Sequence, residues 1–309
     1  MIIALPLVNN TKELLKDCIY SITDNNKDRE IEFYIMYYSN QVSKETLEEI
    51  SQIANNITFI DFTNWVDIFH KASKLYGNYT TYLRLLMPRF LQIYRPEVDR
   101  FIYCDEDCYC TGDINKFYNL DFEGKEFIGI LEPTFNEYVM LQKNSYIFAN
   151  AGLLLINTKF DLSGDKSLFI LDHMSFRNVL HIRDCNDQTF INIYGMKIIC
   201  DRSLKRIYNV FKNAEEFLPM EIDIIKFSLE QFNITHLHSH LKGDEGEEKM
   251  LKNGLINQKC ERKNKVNKSI TPHMKQYMKV DPTDEVICKV REYIHDSNPY
   301  SIQSIYMHI

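Results

Sequence analysis

The stretch Arg100-Phe-Ile-Tyr-Cys-Asp-Glu-Asp107 decides how this chain is read. Four residues suited to a buried strand run straight into three carboxylates, a juxtaposition that a folded core avoids unless something compensates the charge. Residues two apart on a strand point the same way, so an extended chain puts Asp105 and Asp107 on one face and Glu106 on the other. Two carboxylates on one face suit a hard divalent cation, Mn2+ or Mg2+, which takes oxygen ligands and leaves room for phosphate. Such a cation would act as a Lewis acid on a diphosphate leaving group. An Asp-x-Asp also occurs as an exposed loop, so its surroundings decide its meaning.

Working outward, residues 2–7 read as a short buried strand. Asn9-Asn10-Thr11 then breaks the strand and can cap a helix over 12–24, where Leu14, Leu15, Cys18, Ile19 and Ile22 fall at helical spacing. A strand at 31–38, an amphipathic helix at 43–54 and a strand at 57–61 follow. This alternation indicates an α/β sheet with parallel pairs. Ligands of such sheets bind beyond the carboxyl ends of the strands, where Leu7, Val8, Asn9 and Asn10 would lie. A helix over 79–93 contains Pro88, which predicts a kink or two shorter pieces. Further strands fit 126–131 and 151–156, helices fit 165–179 and 187–194, and extended pieces fit 196–200 and 233–238. Beyond Asp244 the chain turns polar and basic with no strong periodicity. The expected division is therefore a domain over 1–245 and a basic C-terminal extension over 246–309.

Composition narrows the class. A chain of 309 residues with 45% hydrophobic and 26% charged residues is ordinary for a globular protein. A net charge of -7 argues against a general nucleic-acid binder. The charge is uneven: residues 249–280 hold nine basic residues against one acid, Glu261, a pattern suited to an anionic membrane surface or an acidic partner. Cys104, Cys108 and Cys110 read as small buried hydrophobes on a strand rather than zinc ligands. Residues 1–6 lack the basic start and long apolar core of a signal peptide, and no apolar run approaches the ~20 residues of a membrane span. The expected location is the cytoplasm, with contact at the inner face of the membrane through the basic run.

Far downstream, Ile234-Thr-His236-Leu-His238-Ser-His240-Leu-Lys242 sets three histidines at alternate positions, which share one face if extended. One imidazole could join the two carboxylates on the metal, and Lys242 could reach a phosphate as a point charge. Here the chain resembles the retaining glycosyltransferases of family 8, the group that includes bacterial lipopolysaccharide galactosyl- and glucosyltransferases and glycogenin. Five short motifs carry the resemblance in order across residues 1–245: Tyr82-Leu83-Arg84-Leu85 before the strand and Asp105-Glu106-Asp107; Asn150-Ala151-Gly152 entering an apolar strand that ends at Asn157; Asp187-Gln188 with Asn192; Tyr208-Asn209; and His236 with Lys242 six residues on.

The resemblance implies the GT-A fold, a Rossmann-like mixed sheet flanked by helices, here with a small C-terminal appendage. It implies a UDP-sugar donor and Mn2+ (or Mg2+) held by Asp105, Asp107 and His236, with His238 the alternative imidazole. Lys242 would meet the diphosphate, Arg84 the donor phosphates or sugar, and Glu106 and residues Leu7 to Asn10 the nucleotide. Asn150, Asp187 and Gln188 would line the donor sugar as the catalytic set. The acceptor would be a glycan hydroxyl, lipid-linked in a bacterial surface polymer. Departures from the family pattern fall at Val8 and Thr11, where an Asp and a Tyr usually contact the base, at Ser239, Gly243 and Asp244, and at Thr189, which cannot serve as a nucleophile. Retention without a carboxylate there favours same-face attack over a covalent intermediate. The competing reading is a non-catalytic nucleotide-sugar or carbohydrate-binding scaffold on the same fold.

Overall fold

A computed structural model describes residues 1–38, 41–72, 74, 77–110, 112–131, 149–174, 187–199, 234–236 and 276–296. Strand β1 (Ile2–Pro6), helix α1 (Lys12–Asn25), strand β2 (Glu32–Tyr37), helix α2 (Lys44–Ile50) and strand β3 (Ile57–Asp61) follow the expected alternation. Helix α3 (Leu83–Tyr94) leads into β4 (Arg100–Cys104), β5 (Cys108–Cys110) and the single turn α4 (Asn115–Tyr118). Next come β6 (Phe127–Leu131), β7 (Ala149–Asn157), α5 (Asp165–Met174), α6 (Asp187–Tyr194), β8 (Lys197–Ile199) and β9 (Ile234–His236). The described chain closes with β10 (Gln276–Lys279) and α7 (Glu285–Asp296).

Eight strands form one mixed sheet in the order β10-β3-β2-β1-β4-β7-β6-β8. From β10 to β4 every neighbour is parallel, whereas β7 runs antiparallel to both β4 and β6. Alternate residues feed two cores. Phe101 and Tyr103 of β4 pack with α3, α5, α6 and α7, while Ile102 and Cys104 pack with α1, α2 and α4. The polarity of β7 matters for function: as an antiparallel strand it begins at the edge where β1 to β4 end.

Local outcomes differ from expectation in two places, each with a physical reason. Thr11 does not cap α1; its hydroxyl donates to the Val8 carbonyl, 3.3 Å away, across a short 3-10 turn over 9–11. Pro88 does not divide its helix either. The break falls before Leu83, where a 3-10 turn over 80–82 precedes α3, and the α-helix then runs through Pro88.

Residues 276–296, within the stretch expected to be a basic appendage, are built into this sheet and core. Strand β10 pairs in parallel with β3, and Tyr277 stacks on Phe59 at 4.9 Å between ring centroids. Val280, Ile287, Val290 and Ile294 are buried against the helices of that face. Asp284 fixes the junction twice. Its Oδ1 accepts from the Ile287 amide (3.1 Å), capping α7, and its carboxylate pairs with Arg89 of α3 (2.8 Å). Trp65 donates its indole N–H to the Asp281 carbonyl (2.5 Å), and Arg291 pairs with Asp67 (2.9 Å). No helix among the described residues is long and apolar enough to cross a membrane.

Replacing Asp284 by Ala removes a cap and strands a half-buried Arg89, which costs about 2 kcal/mol and lowers the Tm by several degrees. Glu285→Ala, at an exposed neighbour, leaves the Tm nearly unchanged in the same thermal melt.

Candidate active site

The site lies where β1 to β4 end and β7 begins. Its anchor is Arg84, on the first turn of α3, only 2% exposed despite its charge. Its Nη2 donates to Asp105 Oδ1 (3.0 Å), its Nη1 to the Ala151 carbonyl and its Nε to the Thr81 carbonyl (2.7 Å). Asp187 Oδ2 stands 2.9 Å from the same Nε, an ionic contact, since that N–H points at Thr81. The guanidinium also lies over the Tyr103 ring, 4.0 Å from its centroid. Burial opposes the Arg84 charge, but Asp105 and Asp187 outweigh it and raise the pKa further. Arg84 is thus almost wholly enclosed by Asp105, Asp187, Tyr103 and the carbonyls of Thr81 and Ala151.

The acidic triplet departs from the extended geometry that its sequence suggests. Alternation holds through Tyr103 and Asp105, and then the Cys108 amide donates back to the Asp105 carbonyl (3.1 Å), closing a turn. The residue sharing a face with Asp105 is thus Tyr103, whose hydroxyl donates to Asp105 Oδ1 (2.5 Å). Asp107 sits inside the turn and is buried, while Asp105 and Glu106 are half-buried. The turn delivers the chain into β5, which pairs antiparallel with β9 and sets the backbone of His236 opposite that of Cys108. Residues 129 positions apart in sequence from Asp107 are so brought next to it along the backbone. His238, Lys242, Tyr208 and Asn209 lie outside the described residues. Among the described residues no three His, Cys, Asp or Glu side chains gather into a metal cluster.

Asn150 and Gln188 are bonded to the start of β7, beside Asp105, and Asp187 reaches Arg84 there. The Asp105 amide donates to the Gly152 carbonyl (2.7 Å), extending the β4–β7 ladder by one bond. Asn150 Oδ1 accepts from the Gly152 amide (2.7 Å), and Gln188 Oε1 accepts from the Ala151 amide (3.1 Å). Asn192, one helical turn beyond Gln188, accepts from the Ala149 amide (2.7 Å) and donates to the Ala149 carbonyl (2.9 Å). Helix α6 thus clamps the start of β7 as an extra strand would. Burial raises the Asp187 pKa to about 6, although Arg84 pulls the other way.

At the first loop, Leu7 is buried and its amide donates to the Met36 carbonyl (2.9 Å), so its side chain belongs to the core. Val8 is half-buried, and Asn9 and Asn10 are exposed. Asn9 Oδ1 accepts from the Ser43 amide (2.8 Å), which ties the loop to the start of α2. Cys18, Cys104, Cys108 and Cys110 are buried and reduced, and burial raises all four thiols. Tyr103 escaped the sequence reading. The signal that could have found it is the two-residue alternation Tyr103-x-Asp105 at the end of the strand.

Comparison with known proteins follows the geometry. The profile of glycosyl transferase family 8 matches residues 13–215, and the chain belongs to that family. It is a glycosyltransferase of GT-A fold. Among solved structures it is similar to the galactosyltransferase LgtC in complex with donor and acceptor sugar analogs, at 17% identity over 84% of this chain and 97% of that one, TM-score 0.57. It is also similar to the bifunctional glycosyltransferase WbbM, at 13% identity over 82% of this chain and 49% of that one, TM-score 0.54. The glycosyltransferase GlyE of Streptococcus pneumoniae shares 18% identity over 78% of this chain and 55% of that one, TM-score 0.50. A comparison with curated protein sequences finds no match.

Asp187 gives a testable pH dependence. Its pKa rises from an ordinary 3.8 to about 6 on folding, so between these values the native chain holds more protons than the unfolded one. Its contribution to stability is greatest below pH 4, falls as pH rises through 4 to 6 and is flat above. Asp187→Asn removes that component, so the difference in unfolding free energy between variant and parent changes across this window and not above it.

Proposed function

We propose that the chain transfers a hexose, glucose or galactose, from a UDP-sugar to a hydroxyl of a glycan acceptor, with retention of configuration and with Mn2+ (or Mg2+). The observation that carries the reading is the β5–β9 pairing, which brings the His236 backbone opposite Cys108, the residue after Asp107. Two carboxylates and an imidazole make a donor set suited to Mn2+. Asp105 can serve while bonded to Arg84 and Tyr103, because an ionised carboxylate accepts several partners at once. Asp105, Asp107 and His236 would then be the ligands of the cation. When bound, such an ion neutralises charge on a departing diphosphate.

The chain's own residues supply position and electrostatics. Arg84 holds Asp105 and Asp187 from below, and Lys242 would meet the diphosphate. The carbonyl oxygens of Asn150 and Gln188 are bonded to the backbone of β7, which fixes both side chains at the start of that strand, where they would line the donor sugar. Gln188 is then no nucleophile, and Thr189 is buried behind it, which supports same-face attack. The uracil would lie against Val8, Asn9 and Asn10. The acceptor is proposed to be lipid-linked, in a bacterial surface polymer such as lipopolysaccharide. The basic run 249–280, whose last residues also form β10 and enter the core at Val280, would then bring its earlier lysines and Arg262 to anionic lipid at the cytoplasmic face, with salt-sensitive vesicle binding as its signature.

Incubated with UDP-glucose or UDP-galactose and no acceptor, the protein should release UDP slowly and only with Mn2+ present. Asp107→Ala should reduce that release at least ~100-fold, whereas Gln188→Ala should keep measurable turnover. Absence of hydrolysis with any sugar nucleotide would instead support the non-catalytic scaffold.

A further inference from the structure

Tyr103 is a buried group at this site for which the reaction so far has no use. It is wholly buried, at the end of β4 on the α3 face. Two contacts leave it in different directions: its hydroxyl donates to Asp105 Oδ1 at 2.5 Å, and its ring lies 4.0 Å from the Arg84 guanidinium carbon. The same Oδ1 accepts from Arg84 Nη2 at 3.0 Å. One carboxylate oxygen is thus gripped by two donors that are themselves stacked on each other. A carboxylate bound at one oxygen by two convergent donors cannot turn about its χ2 without breaking both bonds, so its second oxygen points in a set direction.

We propose that Tyr103 is a positioning residue for the metal site: its hydroxyl fixes the rotamer of Asp105 and so directs Oδ2 toward the cation, while its ring seats Arg84. The proposal rests on the reading of Asp105 as a cation ligand. Partners of metal ligands commonly act in this way, orienting the ligand and tuning its basicity, and losing one weakens metal affinity roughly 10–100-fold. A phenylalanine there would preserve volume and the stacked ring and delete one hydrogen bond. A leucine would delete the ring contact as well.

The test is Mn2+ binding by the whole chain in the absence of any sugar nucleotide, followed by the electron paramagnetic resonance signal of free Mn2+, alongside thermal melts. Tyr103→Phe should melt close to the parent yet bind Mn2+ with a Kd raised about tenfold or more. Its turnover at saturating Mn2+ should recover most of the parent value, a metal KM effect that simple loss of packing does not produce. Equal Kd for the parent and Tyr103→Phe overturns the proposal, as does a weakening seen only in Tyr103→Leu, which would reduce Tyr103 to a packing role. A parent that binds no Mn2+ at all removes the metal reading itself, a result distinct from either.

Discussion

A guanidinium without water must be surrounded by its counter-charges, and Arg84 imposes that demand on everything near it. Coulomb attraction in a close ion pair is on the order of 4 kcal/mol at an effective dielectric of about 20, burial offsets it, as the raised Asp187 pKa shows, and removing one member of a buried pair typically costs about 3–5 kcal/mol. Asp105 from the end of β4, Asp187 from the start of α6 and the Ala151 carbonyl from β7 answer the demand together. Three elements distant in sequence are thereby held at one point. Any sugar-phosphate chemistry at this point inherits a rigid floor.

Topology makes that convergence possible. Strands β1 to β4 run parallel and end at one edge, but a parallel β7 would have placed Asn150 and Ala151 at the opposite edge. Its antiparallel course brings the start of the strand beside the end of β4, one bond from Asp105. Gln188 and Asn192 then clamp that start from α6. The turn at 105–108 does the remaining work, sending the chain out of the main sheet to pair with the strand that carries His236. Family membership follows from the sequence and the fold from the shape, and the hydrogen-bonding pattern adds how the site's side chains are held.

Much of the fold was legible because apolar alternation and helical spacing were strong: β3 over 57–61 and α6 over 187–194 were readable to the residue. The order of site motifs was legible from the resemblance to family 8 rather than from periodicity. Three things were not. A turn can follow a strand without a glycine or proline to announce it, so the change of direction after Asp105 left no mark, and Asp105 and Asp107 read as facing one way. Tyr103 looked like one more core aromatic, because a hydroxyl's partner is a tertiary fact. Strand β10, Gln276–Lys279, is short and mostly exposed, so it carries no hydrophobic signature. Helix α7 did carry one, in Ile287, Val290 and Ile294, but its basic, polar surroundings obscured it.

The claim that binds these parts is that the turn after β4 and the strand β9 enclose a single cation site. Anomalous diffraction at the manganese edge, from crystals grown with Mn2+ and UDP, addresses it directly. The account predicts one strong peak in contact with carboxylate oxygens of Asp105 and Asp107 and with the His236 imidazole. A peak elsewhere, or none at saturating Mn2+ with UDP bound, would contradict it.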